Sequence, residues 1–292
     1  MTTMPDLKTS LLDLLFEIKD TGISLIVGGG FGIYLKTSYI QQARISTLLK
    51  EWPEPRSTND IDLFLRPELL IESSKLEPFS KALSRLGYKP VRGAEKYQFI
   101  KPGPGKTDTG SIKIDILTGP QSSFKGSSVR VDDRRVRPRP SAGVHAHPVD
   151  EATTLEAGLL SVKLEGNRSS GDTFSRDVFV PHAYTFSMMK LFAFRDRFND
   201  TDKEYGRYHA LDIYTIMATT GEEEWRYALE LRDQNKDNPY MQEAGGIVQE
   251  YFTSLKSPGI IRLRESPYYR PELQLNDFIS ILRELFPINR EG

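Results

Sequence analysis

The sequence predicts an α/β (α+β) protein: a mixed sheet flanked by helices, followed by a helical C-terminal domain. Three observations carry this reading. A short apolar run, Ser24-Leu25-Ile26-Val27, leads straight into Gly28-Gly29-Gly30 and then into a helical pattern. Segments 60–65, 96–101 and 111–118 have the alternation and composition of strands. After Tyr184 the pattern turns helical, at 184–198, 206–219, 222–234, 240–255 and 272–285. The domains are therefore expected at 1–183 and 184–292.

The remaining elements follow in chain order. Leu7, Leu11, Leu14, Leu15 and Ile18 recur at helical spacing, so 6–20 is expected to be an amphipathic helix stopped by Thr21-Gly22. The stretch from Phe31 to Trp52 keeps a helical pattern until Pro53 and Pro55 end it. Asp60 to Leu65 alternates as a strand, and 68–86 is expected to be a helix closed by Gly87. The strands at 96–101 and 111–118 are joined by KPGPGKTDTG, which has the composition of a hairpin loop. Between 125 and 183, SVRV, LLSVKLEG and DVFVPH suggest short strands among Pro- and Gly-rich loops.

Composition narrows the class. With 292 residues and a 38% hydrophobic fraction the chain can bury a sizeable core. Its 39 basic and 40 acidic side chains leave a net charge of -1, so any nucleic acid must be met by a local patch. With no cysteine, disulfides, thiolate zinc sites and cysteine nucleophiles are excluded. Asp13, Glu17 and Lys19 break the N-terminal apolar run, so no signal peptide is expected, and no apolar stretch is long enough for a membrane span. The expectation is a soluble cytoplasmic protein with no membrane partner.

The chemistry concentrates between residues 28 and 115. Glycines between a strand and a helix let the backbone approach a polyphosphate, whose charge the helix N-terminus favours, although a plain tight turn uses the same residues. Asp60 and Asp62 lie two apart, so on a strand both carboxylates leave one face while Ile61, Leu63 and Leu65 leave the other. Such acids repel one another unless a cation lies between them, and Mg²⁺ (or Mn²⁺) with substrate phosphates fits that need. The bland alternative is a pair of solvated acids on an edge strand. Asp115, within Ile112-Lys113-Ile114-Asp115-Ile116, adds a third acid on the polar face of another strand. Three such acids are what two-metal phosphoryl transfer needs, with cations ~3.5–4 Å apart and one acid free to take a proton.

The glycine turn followed by Arg56-Ser57-Thr58-Asn59-Asp60-Ile61-Asp62-Leu63 resembles the nucleotidyltransferase superfamily (DNA polymerase β-like), and within it the AbiEii-type toxins of type IV toxin–antitoxin systems. The resemblance covers about 23–217. It implies a nucleotidyltransferase fold and a metal held by Asp60, Asp62 and Asp115. It implies nucleotide binding by Gly29, Gly30, Arg56, Thr58, Lys190 and Asp212, with Lys190 in MMKLFAFRDR and Asp212 in HALDIYTI. It also implies an NTP substrate, a tRNA or protein acceptor, and a cognate antitoxin. Lys190 could otherwise be a surface lysine and Asp212 a structural ion-pair partner; Arg197 shares the Lys190 helix face and could serve either way. Two departures from the family are an insertion around 37–55 and His209, where these toxins often carry an acid. A small-molecule (antibiotic-modifying) nucleotidyltransferase and a non-catalytic nucleotide- or partner-binding member are the competing readings.

Other motifs yield less. Gly105-Lys106-Thr107 invites a phosphate-loop assignment, but Ile100 stands where that motif needs glycine and a strand follows. His145 and His147 are expected on a surface loop. Arg130, Arg134, Arg135, Arg137 and Arg139 form the local basic concentration, interrupted by Asp132 and Asp133. They form either a solvated face or an RNA-backbone contact.

Overall fold

The computed structural model describes residues 3–54, 56, 58–103, 110–132 and 135–288. Pro55, Ser57, the Gly105-Lys106-Thr107 stretch, Asp133 and Arg134 lie outside the described residues. The chain divides into two compact units, each assembled from separated stretches. One takes residues 1–35, 57–153 and 159–180; the other takes 36–56, 154–158 and 181–292.

The first unit is built on one mixed sheet. Its strands are β1 (Ile26–Val27), β2 (Asp60–Leu65), β3 (Lys89–Pro90), β4 (Gln98–Lys101) and β5 (Ile112–Thr118). After the small separate hairpin of β6 (Arg130–Asp132) and β7 (Arg135–Arg137) come β8 (His147–Pro148), β9 (Leu160–Asn167) and β10 (Thr173–Val180). The order is β3-β4-β5-β2-β1-β10-β9, with β8 added beside β5. The pairs β2–β5, β1–β10 and β5–β8 are parallel and the others antiparallel.

One face of this sheet is apolar and buried, carrying Ile61, Leu63 and Leu65 of β2, Ile114 and Ile116 of β5, and Val178 and Val180 of β10. Helix α1 (Met4–Glu17) packs on β9 and β10. A capping box starts α1: the Asp6 carboxylate accepts from Thr3 N at 2.7 Å while Thr3 Oγ1 accepts from Asp6 N at 3.4 Å. Leu7, Leu11 and Leu14 are fully buried. Arg176 of β10 donates to the carbonyls of Leu15 and Ile23, each at 3.0 Å, which satisfies chain ends that α1 and β1 leave open. The opposite face carries Asp60 and Asp62 of β2 and Lys113 and Asp115 of β5, with Phe64 buried beyond them.

Helix α2 (Gly29–Ala43) follows β1 directly. It is shorter than the pattern through Trp52 predicts. Arg44 adopts a left-handed φ of 52° and Ile45 N donates to Ile40 O at 3.2 Å, closing the helix as a left-handed C-cap does. The residues beyond belong to the second unit, where Leu48 N bonds Thr220 O and Tyr214 Oη bonds Glu51 O. The expected helix at 68–86 is two, α3 (Pro67–Ile71) and α4 (Ser73–Arg85), divided at Glu72, whose ψ of 79° no helix accommodates.

In the second unit the helices are α5 (Ala183–Arg197), α6 (Arg207–Ala218), α7 (Glu222–Gln234), α8 (Pro239–Tyr251), α9 (Pro258–Arg264) and α10 (Leu275–Leu285). α9 escaped the sequence reading because its seven residues show too little periodicity. Aromatic rings dominate the core, with Phe194 against Phe252 at 5.0 Å and Tyr214 against Phe278 at 5.2 Å between centroids. Among the described residues no helix is long and apolar enough to cross a membrane.

Lys36, on the part of α2 that belongs to the second unit, is fully buried. Its ammonium meets Glu224 at 2.7 Å, and the same carboxylate oxygen accepts from Ala183 N at 2.9 Å. Lys36→Ala leaves the part-buried Glu224 beside a cavity and is expected to cost about 3 kcal/mol in denaturant unfolding. Lys36→Met with Glu224→Gln is expected to recover most of that loss, since no buried charge is then stranded. An alanine variant as stable as the wild type would show the pair to be incidental.

Candidate active site

The polar face of the sheet gathers the acids. Parallel pairing of β2 with β5 sets Asp62 opposite Asp115 and Asp60 opposite Lys113. Antiparallel pairing of β4 with β5 sets Gln98 opposite Asp115 on the other side. Side chains two apart on a strand share a face, so Asp60, Asp62, Lys113, Asp115 and Gln98 emerge together. Burial raises the Asp115 carboxyl, and the Asp62 and Asp60 charges raise it further, to about 7. Lys113 and a hydrogen bond from Gln98 work weakly against that rise. Lys113 Nζ lies 3.9 Å from Asp60 Oδ1, too far for a hydrogen bond. Asp60 Oδ1 and Asp115 Oδ1 are buried without a hydrogen-bond partner.

The glycine turn is fitted to this arrangement. Gly28 N donates to Asp62 O at 2.8 Å, extending the β1–β2 pairing by one residue. A Cβ on Gly28 would meet the Phe64 ring at 2.7 Å, and one on Gly29 would lie 1.6 Å from Asp62 Oδ2. Gly29 also has a φ of +60°, which side-chain-bearing residues rarely adopt. The Asp62 carboxylate thus lies against the first turn of α2, where open amides and the helix dipole favour negative charge. Gly30 follows within that same turn. Thr58 Oγ1 accepts from Asp60 N at 3.3 Å and steadies the entry to β2.

Among the described residues no group of three or more His, Cys, Asp or Glu side chains is gathered closely enough to enclose a metal ion. The unpaired oxygens of Asp60 and Asp115 and the mutual repulsion on Asp115 nonetheless suit a divalent cation that takes its remaining ligands from water and phosphate. Mg²⁺ binds in this way, through one or two carboxylates and its substrate rather than a protein cage.

A second charged group lies within the helical unit. Asp212 of α6 accepts from Arg56 Nε at 3.0 Å and Nη2 at 3.1 Å, and from Lys190 of α5 at 2.8 Å. Burial alone would raise the Asp212 carboxyl, but the Arg56 and Lys190 cations hold it well below the usual carboxylate range. Two cations share one carboxylate. Burial and then the Lys190 charge lower His209 to about 3, with Arg56 and Arg197 adding to the effect. It is a neutral imidazole whose Nδ1 lacks a partner. Arg197 itself pairs with Asp200 at 3.3 Å.

The sequence-predicted site residues therefore fall into two sets. Gly29, Gly30, Thr58, Asp60, Asp62 and Asp115 belong to the sheet unit; Arg56, Lys190 and Asp212 belong to the helical unit. Gln98 and Lys113 were not singled out from sequence. The alternation of 96–101 and 111–118 carries their faces, but only the strand register makes them neighbours of the acids.

The basic hairpin also belongs to the sheet unit. Arg137 pairs with Asp132 at 2.5 Å, and the Arg135 guanidinium lies 5.2 Å from the centre of the Tyr97 ring. The surface-loop expectation for the histidines is corrected. His145 is buried, its N–H bonded to Lys96 O at 2.7 Å, and His147 opens β8 beside β5. A bridge between Val136 and Ala146 draws this segment inward. Burial lowers His145 to about 4, with Lys96, Arg137 and Arg135 contributing.

A carboxyl raised from 3.8 to about 7 binds its proton in the folded chain before the unfolded chain does. Folding then takes up protons between those values, so stability falls as pH rises through that window. Asp115→Asn removes the charge and is expected to raise the apo protein's stability near pH 8 by about 2 kcal/mol, with little gain near pH 4. Thermal unfolding at both pH values checks this; an equal gain at both would contradict the charge origin.

No known family model and no curated protein matches the chain. Among solved structures, the solution structure of the antibiotic-resistance factor ANT(2'')-Ia is similar over 80% of this chain and 98% of that one. The two are 12% identical with a TM-score of 0.34. A likeness of that size decides nothing about activity.

Proposed function

We propose that the chain is a metal-dependent nucleotidyltransferase that moves a nucleoside monophosphate from an NTP to an acceptor hydroxyl. The observation that supports this most is the placement of Asp62 directly across from Asp115, with Asp60 beside them and two buried oxygens unpaired. In the proposed reaction the acceptor oxygen attacks the α-phosphorus. The new O–P bond forms as the α–β bridging bond breaks, and pyrophosphate leaves. Asp115 receives the acceptor proton, for which a carboxyl near 7 is better matched than an ordinary one. Asp60 and Asp62 hold Mg²⁺ or Mn²⁺, whose chemistry is to neutralise the triphosphate and sharpen the electrophile. Arg56 and Lys190 are assigned to phosphate oxygens from the resemblance, with Asp212 orienting both.

For the acceptor, an RNA end is the reading favoured by the hairpin. Lys96, Arg135 and Arg137 bear on His145, and the Arg135 guanidinium lies over the Tyr97 ring. Cations interleaved with an aromatic ring suit a phosphate backbone and stacked bases. A cationic small-molecule acceptor would want acids there instead. A toxin acting on tRNA, held in check by an antitoxin, is the finer form of this reading and rests on the resemblance.

Incubation with each α-labelled NTP, Mg²⁺ and cell extract tests the reaction by asking whether label enters RNA, protein or a small molecule. Asp60→Asn and Asp62→Asn are each expected to reduce transfer about a hundredfold or more while leaving the apo protein folded. Retained transfer in both would end the metal-site reading. Arg135→Gln with Arg137→Gln is expected to weaken RNA binding and flatten its salt dependence, by up to about one unit of slope per lost phosphate contact. Wild-type binding at every salt concentration would make the hairpin a solvated face.

A further inference from the structure

The sheet ends unequally. At one end lies β3, two residues long and carrying Pro90, which has no N–H to offer a neighbour. At the other lies β9, eight residues long and paired with β10 on one side. Among the described residues no strand pairs with its other side.

The hydrogen bonds around β9 show which of its groups reach that open edge. Antiparallel strands alternate between residues that bond the partner strand and residues that face away from it. Arg168 N donates to Asp172 O at 2.9 Å, one step beyond the pairing of Asn167 with Thr173. Phe179, opposite Ser161, donates its N–H to Leu25 O at 3.0 Å, on the β1 side. Both bonds fix the same phase. The backbone N–H and C=O groups of Ser161, Lys163, Glu165 and Asn167 point outward. Thr9 Oγ1 donates to Asn167 O at 3.1 Å, which agrees with this phase and closes the Asn167 end. Lys163 and Glu165 form the open centre.

That centre is complementary to itself. Two copies laid antiparallel about Leu164 bring Lys163 opposite Glu165 and Glu165 opposite Lys163. Each pair joins two outward-facing residues, so each exchanges both backbone hydrogen bonds. The two side chains share the exposed face of the sheet, where they lie 3.1 Å apart within one chain. Two-fold symmetry turns them into an alternating ring of two cations and two anions. Val162 and Leu164, on the other face, are buried and continue the apolar side of the sheet across the axis. A lone lysine on an edge repels a second strand, whereas lysine and glutamate two residues apart admit their own copy in one register.

We propose that the chain forms a dimer through β9, two copies joining their sheets edge to edge about Leu164.

The test is sedimentation of the full chain, without nucleotide or metal, at concentrations from about 1 to about 100 µM. The wild type is expected to shift from monomer to dimer across that range. Lys163→Glu and Glu165→Lys are each expected to weaken dimerisation about tenfold or more, because like charges then face one another. An equimolar mixture of the two variants is expected to restore it, since every facing pair is again opposite in charge. Lys163→Pro removes an N–H that the monomer leaves unused, and is expected to abolish the dimer while the far-UV circular dichroism stays unchanged. A wild-type chain that remains monomeric throughout overturns the proposal. So does a dimer that both charge reversals and Lys163→Pro leave intact, which would place the interface elsewhere. A mixture that associates no better than either variant alone contradicts the register, and the proposal with it.

Discussion

Parallel pairing of β2 with β5 holds Asp62 and Asp115 side by side with Asp60 one step along, and that crowding of negative charge is the constraint to which the rest of the sheet unit answers. A fold gains nothing from such repulsion. Its effect is visible on Asp115, whose carboxyl burial and two neighbouring charges lift to about 7. Much of the surrounding detail relieves or tolerates the crowding. The Asp62 carboxylate lies against the first turn of α2, which only a glycine at position 29 permits, and Lys113 and Gln98 approach the other two acids. Among the described residues, Asp60 Oδ1 and Asp115 Oδ1 remain without hydrogen-bond partners. That condition suits the proposed cation, arriving with its substrate.

The helical unit solves the opposite problem. There two cations converge on a single buried carboxylate. Asp212 holds Arg56 through a two-point fork and Lys190 through one bond, fixing both. The neutral state of His209 follows from burial first and then from the Lys190 and Arg56 charges beside it. The Arg56 guanidinium also lies over the Tyr208 ring.

Much of this was legible from sequence wherever a period of two or of 3.6 ran long enough. Asp60-Ile61-Asp62-Leu63 and Ile112-Lys113-Ile114-Asp115 declare both their strands and their polar faces. What the sequence could not carry was adjacency. That Asp62 meets Asp115, that Gln98 flanks it, and that Arg56 reaches residue 212 are facts of register and long-range packing. Local signals also failed where one residue overrode a pattern. Arg44 closes α2 by a left-handed turn although helical spacing continues, and Glu72 splits α3 from α4 without a glycine or proline to mark it. Lys36 carries no sequence signal of its burial, which only Glu224, far off in sequence, explains.

The central claim is that the acids on β2 and β5 complete their coordination with a cation and a nucleotide together. Following the free Mn²⁺ resonance while the ion is titrated into the protein, with and without a non-hydrolysable NTP, tests it most directly. The account predicts weak retention of Mn²⁺ by the protein alone, much stronger retention when the nucleotide is present, and loss of that enhancement in Asp62→Asn. Retention that ignores the nucleotide, or that survives removal of the Asp62 charge, would contradict it.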